Sequence, residues 1–399
     1  MPKRMGRFFS VLLWVAAVAV GTGLLVNSGR TIVGISAWVG TMALANLIRV
    51  PSPSGGRISL IGGAGLVGVV LLDSVLMLAG VFLLGLALAR LVSALWQSQP
   101  STDSDLLGTV AGLGVLILVE VADEWITGSF DGEPQWGTLG LVLFAGFAWF
   151  IADAFVRILG AVPVGKTSIR YVWLTALEDW PVMVALFASA GLFALAEPVI
   201  GWWALPVAGV PYAISHVSFT LLAGTRRTYG QMIRALSRLP EVAGLSPDGH
   251  AAGTALLAST MARSMGMHPD DVTRLEYAAL LHDIGRITVE DPSEEPEHSD
   301  LARWGAEIIR QAPYLSVVAD HVDKHDDPYR RPGEEDDPSI GLEPRIIKVA
   351  STFDRANRIH GMDAVEALEV LHRRTAYDFD PAVVAQLRSV LRRSGRLSA

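Results

Sequence analysis

Residues 275–287 read LEYAALLHDIGRI, an apolar run that closes on adjacent His282 and Asp283 and stops at Gly285. Pro269 followed by Asp270 and Asp271 supplies the acidic first turn of a helix, so the pattern predicts one helix from about 269 to 285. An imidazole and a carboxylate side by side at a helix end can turn toward one ion, a ligand pair suited to Mn, Fe, Zn or Mg. The dipeptide alone is more often a surface feature; its setting gives it weight.

Upstream, Ser246 and Pro247 read as an N-cap and first-turn proline and Gly266 as a stop, bounding a helix with His250 near its start. Downstream come an amphipathic helix near 301–311 and a segment from 314 to 324 carrying His321. An acidic, proline-containing loop then runs from 326 to 344, and helices are expected at 345–358, about 363–374 and 381–392. No strand pattern interrupts this order, so residues 244–399 are expected to form a soluble all-α domain.

The rest of the chain is of another kind. The 399 residues are 51% hydrophobic with a mean hydropathy of +0.40, and only 22 charged side chains precede residue 225 against 50 after it. Apolar runs long enough for a hydrocarbon core of about 30 Å, which takes roughly 20 helical residues, recur from Phe8 to Leu222. Eight spans are expected, at 8–26, 31–48, 58–72, 75–93, 106–122, 137–156, 172–195 and 199–222. The third is short and glycine-rich, as a re-entrant segment would be. The fold class is therefore all-α, a polytopic transmembrane bundle (1–224) followed by a soluble domain.

Lys3, Arg4 and Arg7, then Arg49 and Arg57, Arg90, Arg157, Lys166 and Arg170, and Arg226 and Arg227 fall at every second boundary, with Arg30 the exception. Basic residues are retained on the cytoplasmic side. Both termini are thus expected in the cytoplasm of a multi-pass cell-membrane protein, with the acidic stretch from Glu120 to Glu133 outside. The first span has the look of a signal peptide, but seven further spans argue against cleavage. Asp153, His216 and the Glu178-Asp179-Trp180-Pro181 cluster sit in or beside apolar runs. They are either a site sensed by the membrane half or, for the cluster, an interfacial start of the seventh span at Pro181. Trp202 and Trp203 read as interfacial belt residues.

Between the halves, residues 225–243 place Tyr229, Met232, Ile233, Leu236 and Leu239 on one helical face. That face is either the first core element of the domain or a seam through which two copies form a homodimer. The soluble part has 22 basic and 28 acidic residues, which speaks against a nucleic-acid polymer as partner, and the absence of cysteine rules out thiolate ligands.

Taken together, AALLHDIGRI, the upstream Gly249-His250, ADHVDKHDDPY, PRIIKVASTFD and Tyr377 with DPAVVAQL resemble an HD-GYP signalling phosphodiesterase domain over about residues 229–391. The resemblance implies that His250, His282, Asp283 and His321 bind a divalent metal. It also implies that Arg286 contacts a phosphate where the family has lysine, and that Asp326 remains from the segment that helps hold cyclic di-GMP. Leu301 and Val322 stand where the family has ligand histidines, Ser351 where it has an aspartate, and DDPYRR replaces the DGxGYP signature, while Asp354 is retained. His325, four residues after His321, and His298 are candidate substitutes, although each reads more readily as a solvated loop histidine; His268, His360 and His372 take no role. The function expected is a membrane-anchored metal-dependent phosphohydrolase acting on a cyclic dinucleotide or other nucleotide phosphoester, with Asp283 and Arg286 catalytic. The alternatives are a catalytically degenerate domain that binds nucleotide or protein and relays a membrane signal, and a transporter or channel with a regulatory domain.

Overall fold

The structure, a computed structural model, describes residues 18–23, 25, 32–54, 56–72, 74–95, 103–122, 134–161, 167–289, 298–331, 333–335 and 337–397. The chain divides into two compact units, Met1–Gly160 with Ala176–Gly224, and Ala161–Thr175 with Thr225–Ala399. Most of the expected first span, Lys3, Arg4, Arg7, Arg30, Lys166 and the acidic stretch beyond Ala122 lie outside the described residues, as do the side chains of Trp202 and His298.

In the first unit, apolar composition produces helices, because a backbone in lipid must satisfy its own polar groups. Val75–Leu95, Trp136–Gly160, Trp180–Ile200 and Ala204–Val242 are long and apolar enough to cross a membrane, the pattern of a multi-pass protein. Gly34–Leu47, Ile61–Leu71 and Leu107–Val121 are shorter apolar helices within the expected second, third and fifth spans. The third expectation needs correction. Residues 57–59 are a strand paired antiparallel with 49–51, Val50 opposite Ile58, and only Ile61–Leu71 is helical. The reason is local: the Pro-Ser-Pro-Ser stretch and Gly56 carry turn chemistry, and Ser52 N–H closes the turn on the Gly56 carbonyl.

Small residues let these helices meet closely. A Cβ at Gly85 would lie 2.4 Å from Met42 Cβ, and one at Gly112 would lie 2.5 Å from the Trp149 ring. The seventh expected span divides into Ile169–Leu177 and Trp180–Ile200, with Pro181 in the first turn of the second helix. Asp179 just before it is buried against protein groups. It accepts from Arg157 Nη1 at 2.7 Å and from the Ser52 hydroxyl, while Arg157 Nε donates to Asp153 at 2.8 Å. His216 contacts the Tyr212 ring, 5.9 Å between centroids, and its buried Nδ1 has no hydrogen-bond partner among the described residues.

Among the described residues, the regular elements of the second unit are all helical apart from one isolated bridge between Thr375 and Phe379. Its helices are His250–Met265, Pro269–Leu281, His298–Arg310, Ser316–Asp323, Leu342–Ile359, Ala364–Arg373 and Pro381–Arg393. Leu275, Ala278, Met261, Val349, Ala350, Leu371 and Leu387 form its core. Caps explain the boundaries: Asp363 and Glu366 make a reciprocal capping box, Asp380 caps a helix with Pro381 at its first position, and Gly266 ends another at φ +75°. His268, which the sequence left without a role, accepts from Asp270 N–H as a cap. Residues 161–175, expected in the membrane region, group with this unit, where Ser168 N–H donates to the Arg263 carbonyl at 3.2 Å and Tyr171 packs on the core. The expected connecting helix is the continuation of Ala204–Leu236; Ile233 is buried, Tyr229 stacks on Tyr314 at 4.9 Å, and Met232, Leu236 and Leu239 stay exposed.

Because truncating one partner strands the other charge, Asp179→Ala is expected to destabilise the full chain by about 2 kcal/mol, with Asp153 retaining part of the interaction. Thermal unfolding of the detergent-solubilised protein checks this, and an unchanged midpoint would contradict it.

Candidate metal centre

The site is built where helix ends meet. His250 opens its helix directly after Gly249, whose left-handed φ of +73° turns the chain into it. The ring is fully buried, and its Nδ1 donates to Asp354 Oδ2 at 2.9 Å. Asp354 is braced in turn by Arg358 Nε at 2.7 Å, and it can approach because residue 253 is glycine: a Cβ there would sit 2.2 Å from Asp354 Oδ1. His282 caps the Pro269–Leu281 helix and donates Nδ1–H to the Ala279 carbonyl at 2.9 Å. Both rings therefore keep a lone pair on Nε2, the arrangement that outer-shell partners impose on metal-ligating histidines.

Those two Nε2 atoms converge on Asp283. His250 Nε2 is 3.8 Å from Asp283 Oδ2 and His282 Nε2 is 3.7 Å from Oδ1, with one donor atom from each residue within 4.8 Å of the others. Ser351 Oγ lies 3.1 Å from His282 Nε2 and 3.5 Å from His250 Nε2, so the hydroxyl stands against both nitrogens. Two imidazoles, a carboxylate and a hydroxyl make a donor set that fits a divalent cation, with one carboxylate and room for further ligands.

Gly285 lets the following turn tuck against the His298–Arg310 helix, since a Cβ would lie 2.0 Å from the Leu301 carbonyl oxygen. The centre opens into a cavity of about 420 Å³, lined by Arg286, Arg355, Arg374 and Lys348 together with Asp326, Asp378 and the apolar Leu301. Arg286 Nε holds Asp283 Oδ1 at 2.7 Å. Lys348 Nζ donates to the carbonyls of Asp326 and Asp327 and to Asp378, tying the loop to the helix.

Burial is the largest influence on His282 and, with His250, His325 and Arg355, outweighs the pull of Asp283, lowering its pKa to about 3. Burial opposes the charge of Asp283, but His282, Arg286 and Arg355 prevail and hold the carboxyl well below the usual range. At neutral pH the site therefore has an uncharged His282 beside an ionised Asp283.

Three expectations change here. His321 does not join the cluster; it is half-buried, and the charged groups around it are Glu343, Asp320, Asp271 and Arg274. The neighbour of His282 is His325, buried, edge-on at 5.4 Å between centroids, with Nδ1 on the Val322 carbonyl at 2.6 Å. The helix Ser316–Asp323 ends between the two histidines, so the four-residue spacing does not put them on one face. Ser246 is not a cap; its hydroxyl donates to Asp283 Oδ2 at 2.8 Å. Val322 is fully buried in the core and supplies no polar atom. Arg355, absent from the sequence reading, reaches both oxygens of Asp283 at 3.3 and 3.4 Å; its place one turn after Ser351 was the available signal.

Residues 248–356 match the family model of the HD domain. The match covers His250, His282, Asp283, Ser351 and Asp354 alike, so the second unit carries an HD fold, and within it His250, His282 and Asp283 form a cluster able to coordinate a divalent metal. No curated protein matches the chain.

The depressed pKa of His282 sets an acid limit on stability. The unfolded chain takes up a proton near pH 6.5 whereas the folded ring does so only near 3, so the contribution is complete above pH 6.5 and is lost as pH falls toward 3. Burial shifts His325 the same way. Unfolding followed between pH 7 and 4 is expected to show stability falling by up to about 1.4 kcal/mol per pH unit for each such group, and a flat profile would contradict it.

Proposed function

We propose that this chain is a membrane-anchored, divalent-metal-dependent HD-domain phosphohydrolase acting in signalling on a nucleotide phosphoester. One observation carries the proposal: two imidazole Nε2 atoms and a carboxylate converge, and two of these three residues, His282 and Asp283, line a cavity walled by arginine and lysine. In this reading His250, His282 and Asp283 hold the ion, Mn, Fe, Zn or Mg, and Ser351 adds a weak oxygen. A cation there supplies positive charge to a phosphoryl oxygen and lowers the pKa of a water to about 7. Asp354 and the Ala279 carbonyl keep the two rings in the tautomer that presents Nε2. Arg286 steadies a phosphate oxygen as charge develops, and Asp326 lines the path of the leaving group.

Leu301 and Val322 offer no ligands for a second ion, so the two-ion clamp that favours a cyclic dinucleotide is missing from these positions. The substrate class that suits this site best is a phosphoester presenting one phosphoryl group, and cyclic di-GMP belongs in the panel as the contrasting substrate. The pattern of Lys and Arg supports a cytoplasmic position for the domain.

Ser351 favours a second reading. Lacking the carboxylate, the domain binds nucleotide and relays a signal from the membrane region, with Met232, Leu236 and Leu239 as an exposed face for a second copy. Full-length protein in detergent, assayed with Mn²⁺ on nucleotides and cyclic di-GMP, separates the two. Hydrolysis that falls at least about 100-fold in His282→Ala, and a metal affinity that rises about 10-fold in Ser351→Asp, are the expected results. Nucleotide binding without turnover, in wild type and Ser351→Asp alike, would sink the enzyme reading and leave the relay.

A further inference from the structure

Asp283 is contacted by more donors than a metal ligand can keep. Arg286 Nε sits at 2.7 Å from Oδ1 and the Ser246 hydroxyl at 2.8 Å from Oδ2, while Arg355 Nη2 spans both oxygens at 3.3 and 3.4 Å. Hydrogen bonds between a guanidinium and a carboxylate are ordinarily about 2.7–2.9 Å, so Arg355 is the loosely held member. Its Nε is buried and has no hydrogen-bond partner among the described residues. A guanidinium carries five donors in a rigid fork matched to two oxygens of a phosphate, and this one lines the cavity with that Nε unpaired among the described residues.

Arg355 also stands one helical turn after Ser351, whose hydroxyl touches the two ligand nitrogens, so the guanidinium belongs to the same face of Leu342–Ile359 as the ion site. A cation drawing on the Asp283 carboxylate weakens its hold on Arg355. The released fork can then take an oxyanion bound beside the ion.

We propose that Arg355 is a phosphoryl-oxyanion-binding residue held in reserve on Asp283, so that divalent cation and phosphate bind this site cooperatively. This rests on the metal-centre reading above and adds its regulation: an empty site is self-neutralised, and neither ligand alone binds as well as both. Reciprocity follows, because a cation that tightens phosphate must be tightened by phosphate to the same degree.

The test is calorimetric titration of Mn²⁺ into full-length protein in detergent, with and without inorganic phosphate, for wild type, Arg355→Ala and Arg355→Lys. In wild type, phosphate is expected to tighten Mn²⁺ by at least about fivefold. Arg355→Ala should bind Mn²⁺ more tightly than wild type when phosphate is absent, because a competing cation has left Asp283, and phosphate should no longer tighten it. Arg355→Lys, which keeps the charge but not the fork, should leave Mn²⁺ affinity near wild type and lose most of the coupling; it decides the matter if the alanine variant does not fold. A merely bracing role gives the opposite sign, weaker Mn²⁺ binding in Arg355→Ala, and that result or full coupling in Arg355→Lys overturns the proposal while the metal centre stands. Failure of wild type to bind Mn²⁺ overturns the metal centre itself, and this inference with it.

Discussion

A carboxylate that keeps its charge where water hardly reaches is the constraint around which the HD domain is organised. Asp283 is 8% exposed, yet its surroundings hold it ionised. Burying an ion without partners costs several kcal/mol. Two guanidiniums and a serine hydroxyl offset that cost, and each comes from a different part of the fold: the turn after the helix, the long helix Leu342–Ile359 and the segment before His250. The helices pack as they do partly because these groups must meet.

The imidazoles illustrate how far the support extends. His250 presents Nε2 because Asp354 takes Nδ1–H, Asp354 reaches it because residue 253 has no side chain, and Arg358 steadies Asp354 from the far side. A candidate ligand is thus positioned by three residues that do not belong to the cluster. Ser351 belongs to the same helix face but brings a hydroxyl where a carboxylate would add charge, which leaves Asp283 as the one carboxylate of the cluster.

Much of this was legible from residue order. The helices of the second unit fall within a few residues of the positions that proline, glycine and acidic first turns announce, because those signals act over one or two turns and need no distant partner. His250, His282 and Asp283 were equally legible, lying at helix ends in a recognisable order. His321 and His325 were not: a four-residue spacing implies a shared face only while the helix continues, and here it stops at Asp323. In the apolar unit, hydropathy located the helices, but it could not separate a hairpin from a short helix at residues 49–71, where turn chemistry overrides apolar composition.

The amino-acid sequence by itself determined which segments seek lipid and which seek water, where the soluble helices begin and end, and which side chains are able to bind a cation. These are properties of local composition and spacing. The tertiary structure alone decided that Ser246 and Arg355 serve Asp283, that Asp179 is buried against Arg157, and that His325 rather than His321 stands beside His282. Each of those pairings joins residues across a change of chain direction, and the energy that selects them comes from desolvation and charge in the packed state, which no window of neighbouring residues contains.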